Sequence, residues 1–525
     1  MLLSLLLCAA AAAAVAAAPQ APTPLQALID AAVASGAPSL TLPAGSTYQQ
    51  GAAPLLLTAS NFLLDGAGST IVFAPGAGVV IERSTAVEVR ALTVDYDPPC
   101  FSQGAVVAAN ASAKTVDVRL DAGFAAPDAP FFTTVEIKLQ FFDGATQRRP
   151  PQSGACIVDV VGQVAPGVWR VRAAQGFGCS VPALPGLRAT ISPRVNGPDY
   201  QIPGGYVGGA YWVYNSTRVT SRGVTLLGSG NFAISEWGGG GGNVYDGVVL
   251  TRKAGHLLSS NTDGFHSFSA RAGPTLVNSS LSFMGDDVAN LHNRVGLVLS
   301  VSAAAGGALA AAIIDVGDTP TPRLDPFNPS RAMAFAGPGD SLVVTTASGA
   351  PRAGAPGGAF TLASISWDAT PGVVAAARAA IAARPGVAVD PRGIGVWQAV
   401  FVQAGAGSGV APGDVVQFDR FANANAVVAG NTFSDAYDSV MRLQSRGAQL
   451  YGNAWARTNG GGLNIGYDAD WLEGASDIRD IAVTGNTFCS IGAPPATTMA
   501  QVLHVQAGIP NVTQAGNTVA ASCAD

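Results

Sequence analysis

The chain has 525 residues, with 64 glycines and 34 prolines, and only 12% of it is charged, against about 25% in an ordinary soluble domain. Its formal net charge of −6 and isoelectric point near 5.2 exclude the basic footprint of a nucleic-acid binder. The length suffices for a large core and more than one domain, and a composition rich in Gly and Pro but poor in Lys and Glu favours short strands and turns over helices.

Residues 1–18 form an apolar, alanine-rich run that ends before Pro19 and reads as a secretory signal peptide. It is slightly short for a bilayer span, and no later segment is apolar enough to be one. Loss of this segment removes Cys8 and leaves Cys100, Cys156, Cys179, Cys489 and Cys523. An odd number in an exported chain means one free or intermolecular thiol; Cys156 with Cys179, and Cys489 with Cys523, pair by proximity. No Cys spacing resembles a zinc site. Asn-x-Ser/Thr sequons at Asn110, Asn215, Asn278 and Asn511 are compatible with export.

Residues 19–95 contain Asn61-Phe62-Leu63-Leu64-Asp65-Gly66 and Ala86-Val87-Glu88-Val89-Arg90, expected as opening coils of a solenoid. Residues 96–200 change character: period-two runs such as Thr115-Val116-Asp117-Val118-Arg119-Leu120 predict an antiparallel β-barrel or sandwich insert. The coils resume over 201–295, where Gly223-Val224-Thr225-Leu226 returns as Gly247-Val248-Val249-Leu250. Residues 296–420 predict a second insert, with a short helix over Val373 to Arg384. Over 421–525 a Gly-Asn motif recurs at Gly430, Gly452, Gly485 and Gly516, in steps of 22, 33 and 31 residues. Each copy follows a β-prone run, and such periods mark a solenoid. The expected fold is all-β: a right-handed parallel β-helix with two inserted antiparallel subdomains, its Gly-Asn asparagines stacked along the axis.

Charge is concentrated in two motifs, Asn261-Thr262-Asp263-Gly264-Phe265-His266 and Gly285-Asp286-Asp287-Val288-Ala289-Asn290-Leu291-His292-Asn293-Arg294. The interval from Asp263 to Asp286 is 23 residues, about one coil, so the two are expected on adjacent rungs roughly 4.8 Å apart. Asp286 and Asp287 would diverge on a flat strand, and both face one cleft only if the chain bends at Gly285. Clustered carboxyls raise one another's pKa, so one can hold a proton while another acts as base, the minimum equipment for breaking a glycosidic bond. Asp263, Asp286 and Asp287 are therefore the candidate catalytic acids. His266, Asn290, His292 and Arg294 beside them, Glu236-Trp237 one rung earlier and Trp471 with Glu473 on a later coil are candidate sugar-binding residues. Nothing in the sequence calls for a metal or another cofactor; calcium wants more oxygen ligands than the aspartates offer.

Asn-Thr-Asp followed one coil later by Gly-Asp-Asp resembles the polygalacturonases of glycoside hydrolase family 28, but the Gly-His-Gly and Arg-Ile-Lys tripeptides of that family are absent. A closer resemblance is to the α-1,3-galactosidases of glycoside hydrolase family 110. It is carried by Val94-Asp95-Tyr96-Asp97-Pro98-Pro99 with Phe101-Ser102-Gln103-Gly104, by Glu236-Trp237 before a glycine run, by Thr262-Asp263-Gly264-Phe265-His266, by Gly285-Asp286-Asp287 with Asn290-Leu291-His292-Asn293, and by Trp471-Leu472-Glu473-Gly474. The resemblance implies an exo-acting, inverting hydrolase that removes terminal α-1,3-linked galactose without metal. It implies a glycan with galactose at its non-reducing end as substrate and Asp263, Asp286 and Asp287 as its acids; the signal-like segment, once removed, leaves no expected membrane association. The alternatives are an enzyme of uronic-acid polysaccharides and a non-catalytic carbohydrate-binding β-helix.

Overall fold

A computed structural model describes residues 24–523, apart from 133–135, 151–152, 175–185, 195–200, 203–205, 208, 317–335, 347–351, 353–358, 384–393, 403–408, 419–422, 469–472 and 475–477. The signal-like segment, Cys179 and Trp471 lie outside the described residues. Among those described, no helix is long and apolar enough to cross a membrane.

The strands stack in parallel at one-coil steps. Thr220–Arg222 pairs with Val244–Asp246, which pairs with Thr275–Val277. Each such coil lends two short strands to an 18-stranded sheet and one to a 10-stranded sheet, giving a parallel β-helix. The turns that bend these coils need glycine: Gly430, Gly452, Gly485 and Gly516 all have φ between 62° and 64°, a left-handed conformation that a side chain disfavours. The asparagine after each glycine forms the expected ladder. Asn431 Nδ2 donates to Asn453 Oδ1 (2.9 Å), Asn453 Nδ2 to Asn486 Oδ1 (2.9 Å) and Asn486 Nδ2 to Asn517 Oδ1 (3.0 Å). Buried amides that would be costly unpaired thus satisfy one another. Inside, apolar side chains stack in the same register, as in Phe433 on Trp455 with centroids 4.2 Å apart. Helix Pro24–Ala34, absent from the sequence reading, packs Leu25 and Ile29 into the same core.

Two register jumps show how the barrels enter. Glu88 pairs with Thr220, a step of 220−88=132, and Thr275 pairs with Val427, a step of 427−275=152. The rungs close across both gaps, so each barrel is an insertion within one coil. Both are closed and six-stranded, spanning Ser102–Asn110 to Leu187–Arg194 and Gly296–Ala303 to Val415–Phe418. Helix Pro371–Ala382 packs Ala377 and Ile381 against Ile394 and Val396 of the second barrel. Cys489 and Cys523 are disulfide-bonded and Cys156 is also in a disulfide. Cys100 is the free cysteine among the described residues, and it is buried.

Candidate active site

The two aspartate motifs occupy one corner of successive coils. Strands Ile234–Trp237, Phe265–Phe268 and Ala289–Arg294 stack with Ile234, Phe265 and Ala289 in register. Counting back two residues sets Asp263 opposite Asp287, and the amide of Gly264 donates to Asp287 O (3.1 Å). The coil step here is 289−265=24, one more than the interval used above, so the rung neighbour of Asp263 is Asp287 and not Asp286. Asp286 is in turn the rung neighbour of Asp438, whose amide donates to its carbonyl (3.2 Å).

Asp286 and Asp287 precede their strand, so strand alternation does not force them apart. Gly285 permits this corner by its lack of a side chain: a Cβ there would sit 2.3 Å from Asn261 O. One oxygen from each of Asp263, Asp286 and Asp287 lies within 4.8 Å of the other two. Asp263 and Asp287 are 4% exposed and Asp286 is 9%.

The first barrel closes one side. From its strand Glu136–Asp143, the buried Lys138 ammonium pairs with the Asp286 carboxylate, and Gln140 Nε2 donates to Gly285 O (2.8 Å). From the following coil, Arg442 Nε stands 3.0 Å from Asp287 Oδ2, and the Ser439 amide donates to Asp287 Oδ1 (2.7 Å). Arg442 also pairs with Asp468 and lies 3.8 Å from Asp438. Burial, reinforced by Asp438, Asp263 and Asp286, holds the Asp287 carboxyl well above the usual range, although Arg442 pulls the other way. Asp438 is likewise raised, by burial and then by Asp286. Three carboxylates this close can ligate a divalent cation, but Lys138 and Arg442 already supply positive charge to two of them.

Beside the acids runs a histidine pair. His266 Nδ1 is 2.8 Å from Asp263 Oδ2, and its Nε2 is 2.8 Å from His292 Nε2. Phe232 covers the His266 ring at 4.0 Å. Glu473 joins through an antiparallel pairing with the strand Ala289–Arg294: Asn290 Nδ2 donates to its Oε2 (3.1 Å), and His292 Nε2 is 3.6 Å from its Oε1. Arg294 contributes its main chain to that pairing, opposite Glu473.

Two expected sugar contacts are corrected. Glu236 is fully buried inside the solenoid, where Tyr245 Oη donates to Oε2 (3.1 Å) and Ser267 Oγ to Oε1 (3.3 Å). Burial lifts its carboxyl to about 7. Trp237 is 1% exposed and packs between Trp212 and Phe268, with centroids 4.7 and 4.5 Å away. Strand alternation sends one residue to the interior and the next into an outer aromatic cluster, so neither opens onto the aspartates.

Sequence reasoning missed Lys138, Asp438 and Arg442. The last two were within reach: Ser282 registers with Ser434, so four residues on, Asp286 meets Asp438. Lys138 had no comparable signal.

No protein-family model matches this chain, and no curated protein does. Among solved structures, the A-module of the Azotobacter vinelandii mannuronan C-5 epimerase AlgE4 matches at 10% identity and a TM-score of 0.29, over 94% of this chain and 90% of that one.

Proposed function

We propose that the protein is a secreted glycoside hydrolase that removes terminal α-linked galactose, with Asp263, Asp286 and Asp287 as its acids. The observation that carries this reading is the gathering of the three carboxyls within 4.8 Å at one corner of two coils. Hydrolysis of a glycoside needs a proton for the leaving oxygen and a base for water, and a buried acid cluster supplies both forms side by side. One carboxyl protonates the glycosidic oxygen, and the others orient and deprotonate water. The rung-neighbour pair Asp263 and Asp287 is placed to hold one water between two carboxyls. The galactoside specificity and the α-1,3 linkage rest on the sequence resemblance alone. Export is supported by the apolar residues 1–18 together with the Cys489–Cys523 disulfide, a bond of oxidising compartments.

The direct test is hydrolysis of p-nitrophenyl α-galactoside and α-1,3-galactobiose, with the anomer of released galactose followed by proton NMR. Release of β-galactose first is expected for inversion. Absence of turnover on both substrates by folded protein overturns the galactosidase reading.

One observation favours a second stereochemical course. One oxygen of each carboxyl comes within 4.8 Å of the other two, nearer the about 5 Å of retaining pairs than the about 6.5–9.5 Å of inverting ones. Retained α-galactose would make one aspartate a nucleophile. A uronic-acid substrate is less favoured, because Lys138 and Arg442 are already engaged by aspartates.

A further inference from the structure

A cavity of about 220 Å³ lies at the junction of the first barrel with the C-terminal coils, lined by Arg148, Arg149, Arg457, Asp435, Phe142 and Phe283 among others. Its floor is a second ladder. Ser282, Ser434, Ala456 and Cys489 are in register, so the residues after them, Phe283, Asp435, Arg457 and Ser490, stack on four coils. All four turn through positive φ (64°, 59°, 56° and 50°). The roof comes from the segment that follows the barrel strand Glu136–Asp143, which brings Arg148 and Arg149.

The charge here runs against the rest of the molecule. Three lining guanidiniums face a single lining carboxylate, in a chain of net charge −6. Arg457 grips Asp435 with Nε and Nη2, both at 3.0 Å, and Arg148 Nε is 3.6 Å from the same carboxylate. Arg149 is half-buried; its Nη1 donates to Asp435 O (2.9 Å) and its Nη2 to Met284 O (2.7 Å), while its Nε has no hydrogen-bond partner. A fourth guanidinium, that of Arg252, lies 3.8 Å over the Phe283 ring. Burial brings Arg149 down to about 10, with Arg252 adding to the effect. The Asp435 carboxylate offsets only part of this positive charge, which favours an anion beside the guanidiniums.

The cavity is distinct from the aspartate site. Lys138, Gln140 and Phe142 alternate along one face of the same strand: the first pairs with Asp286, the second holds Gly285 O, and the third lines the cavity. Four residues of strand separate the first from the third, about 13 Å. Gln140 and Arg149 are joined between them by a hydrogen bond of 3.2 Å.

We infer that this cavity is a binding site for an anionic sugar unit, a single hexose-sized ring bearing a carboxylate or a sulfate ester. Guanidinium forks recognise both oxyanions. Asn459 and Ser490 offer hydrogen bonds to hydroxyls, and Phe283 and Pro495 offer apolar surface to a ring. The site stands whether or not the aspartates cleave galactosides.

The test is calorimetric titration of the purified protein with galacturonate, galactose 6-sulfate, inorganic sulfate and, as the neutral control, galactose. The variants are Arg457→Met, Arg148→Met and Asp287→Asn. At least one charged sugar is expected to bind, more weakly at high salt. Affinity should fall at least tenfold in both arginine variants and stay unchanged in Asp287→Asn. The better of the two charged sugars identifies the oxyanion. Should Arg457→Met unfold, Arg148→Met carries the test, because that side chain is 43% exposed. The inference is overturned if neither charged sugar binds, if inorganic sulfate binds and the sugars do not, or if Asp287→Asn abolishes binding that the arginine variants retain.

Discussion

The Nε2 atoms of His266 and His292 lie 2.8 Å apart, so one proton is shared between two imidazoles on adjacent rungs. The ends of this pair constrain it further. His292 Nδ1 is 3.2 Å from the Asn293 carbonyl, which only accepts, and His266 Nδ1 is 2.8 Å from Asp263 Oδ2. Three contacts need three protons, and two neutral imidazoles bring two. The third sits on an imidazole opposite the Asp263 carboxylate, or on Asp263 itself. Asp263, His266 and His292 therefore store one proton beyond a carboxylate and two neutral rings.

This relay makes His266 a positioning residue for Asp263. In His266→Gln, kcat on an α-galactoside should fall by about 10²-fold with KM little changed, through loss of Asp263 alignment. The pH profile of kcat should also shift. A fall in kcat with an unmoved pH profile would leave His266 only a packing role.

Replacing Asp263, Asp286 or Asp287 singly with Asn should lower turnover by about 10²–10⁴-fold; the melting temperature should hold in Asp263→Asn and Asp287→Asn, whereas Asp286→Asn also lowers it by leaving the buried Lys138 ammonium without its carboxylate. Unaltered kcat in all three would turn the protein into a binding module.

Lys138 and Asp286 form a buried pair, with side chains 6% and 13% exposed. Lys138→Met should cost about 3–5 kcal/mol by leaving the carboxylate without its partner. Chemical denaturation should show Lys138→Met with Asp286→Asn to be more stable than Lys138→Met alone. Additive losses would mean that the pair is not coupled.

Asp438 is the first neighbouring charge in raising the Asp287 carboxyl. In Asp438→Asn that push disappears, and Arg442 is left freer to favour the Asp287 carboxylate. The limb of the pH–rate profile governed by Asp287 should move to lower pH, whichever limb it is. Movement to higher pH would contradict the electrostatic assignment.

Glu236 tests the solenoid interior. Its carboxyl is lifted from 4.5 to about 7 in the folded chain by burial. The folded state therefore holds this proton more tightly than the unfolded one. Its contribution is fully present below pH 4.5 and lost as pH rises to about 7, a difference of roughly 3 kcal/mol. Glu236→Gln should flatten the fall of stability across that window, read from denaturation midpoints at successive pH values. Parallel curves for the two proteins would remove Glu236 as the cause.

The solenoid was legible because its cause is local. The Gly-Asn turns need a left-handed glycine, and the asparagine after each needs a neighbour of its own kind one coil away. Both needs appear as spacing along the chain. The same spacing put Asp263 and Asp286 one rung apart, and missed by one residue because the step of that coil is 24 and not 23. With the register corrected, Asp438 and Arg442 follow from the repeat as well. Glu236 and Trp237 were misplaced because strand alternation tells that neighbours part, but not which one turns inward when both faces are covered. Lys138, and the cavity arginines Arg148 and Arg149, were decided by tertiary structure alone. They ride on a barrel inserted in a coil that steps by 132 residues from Glu88 to Thr220, and only its docking onto the corner after Phe283 sets a lysine against Asp286 and two arginines over Asp435. Periodicity encodes what repeats; the contact between an insert and its coil occurs once, and no spacing records it.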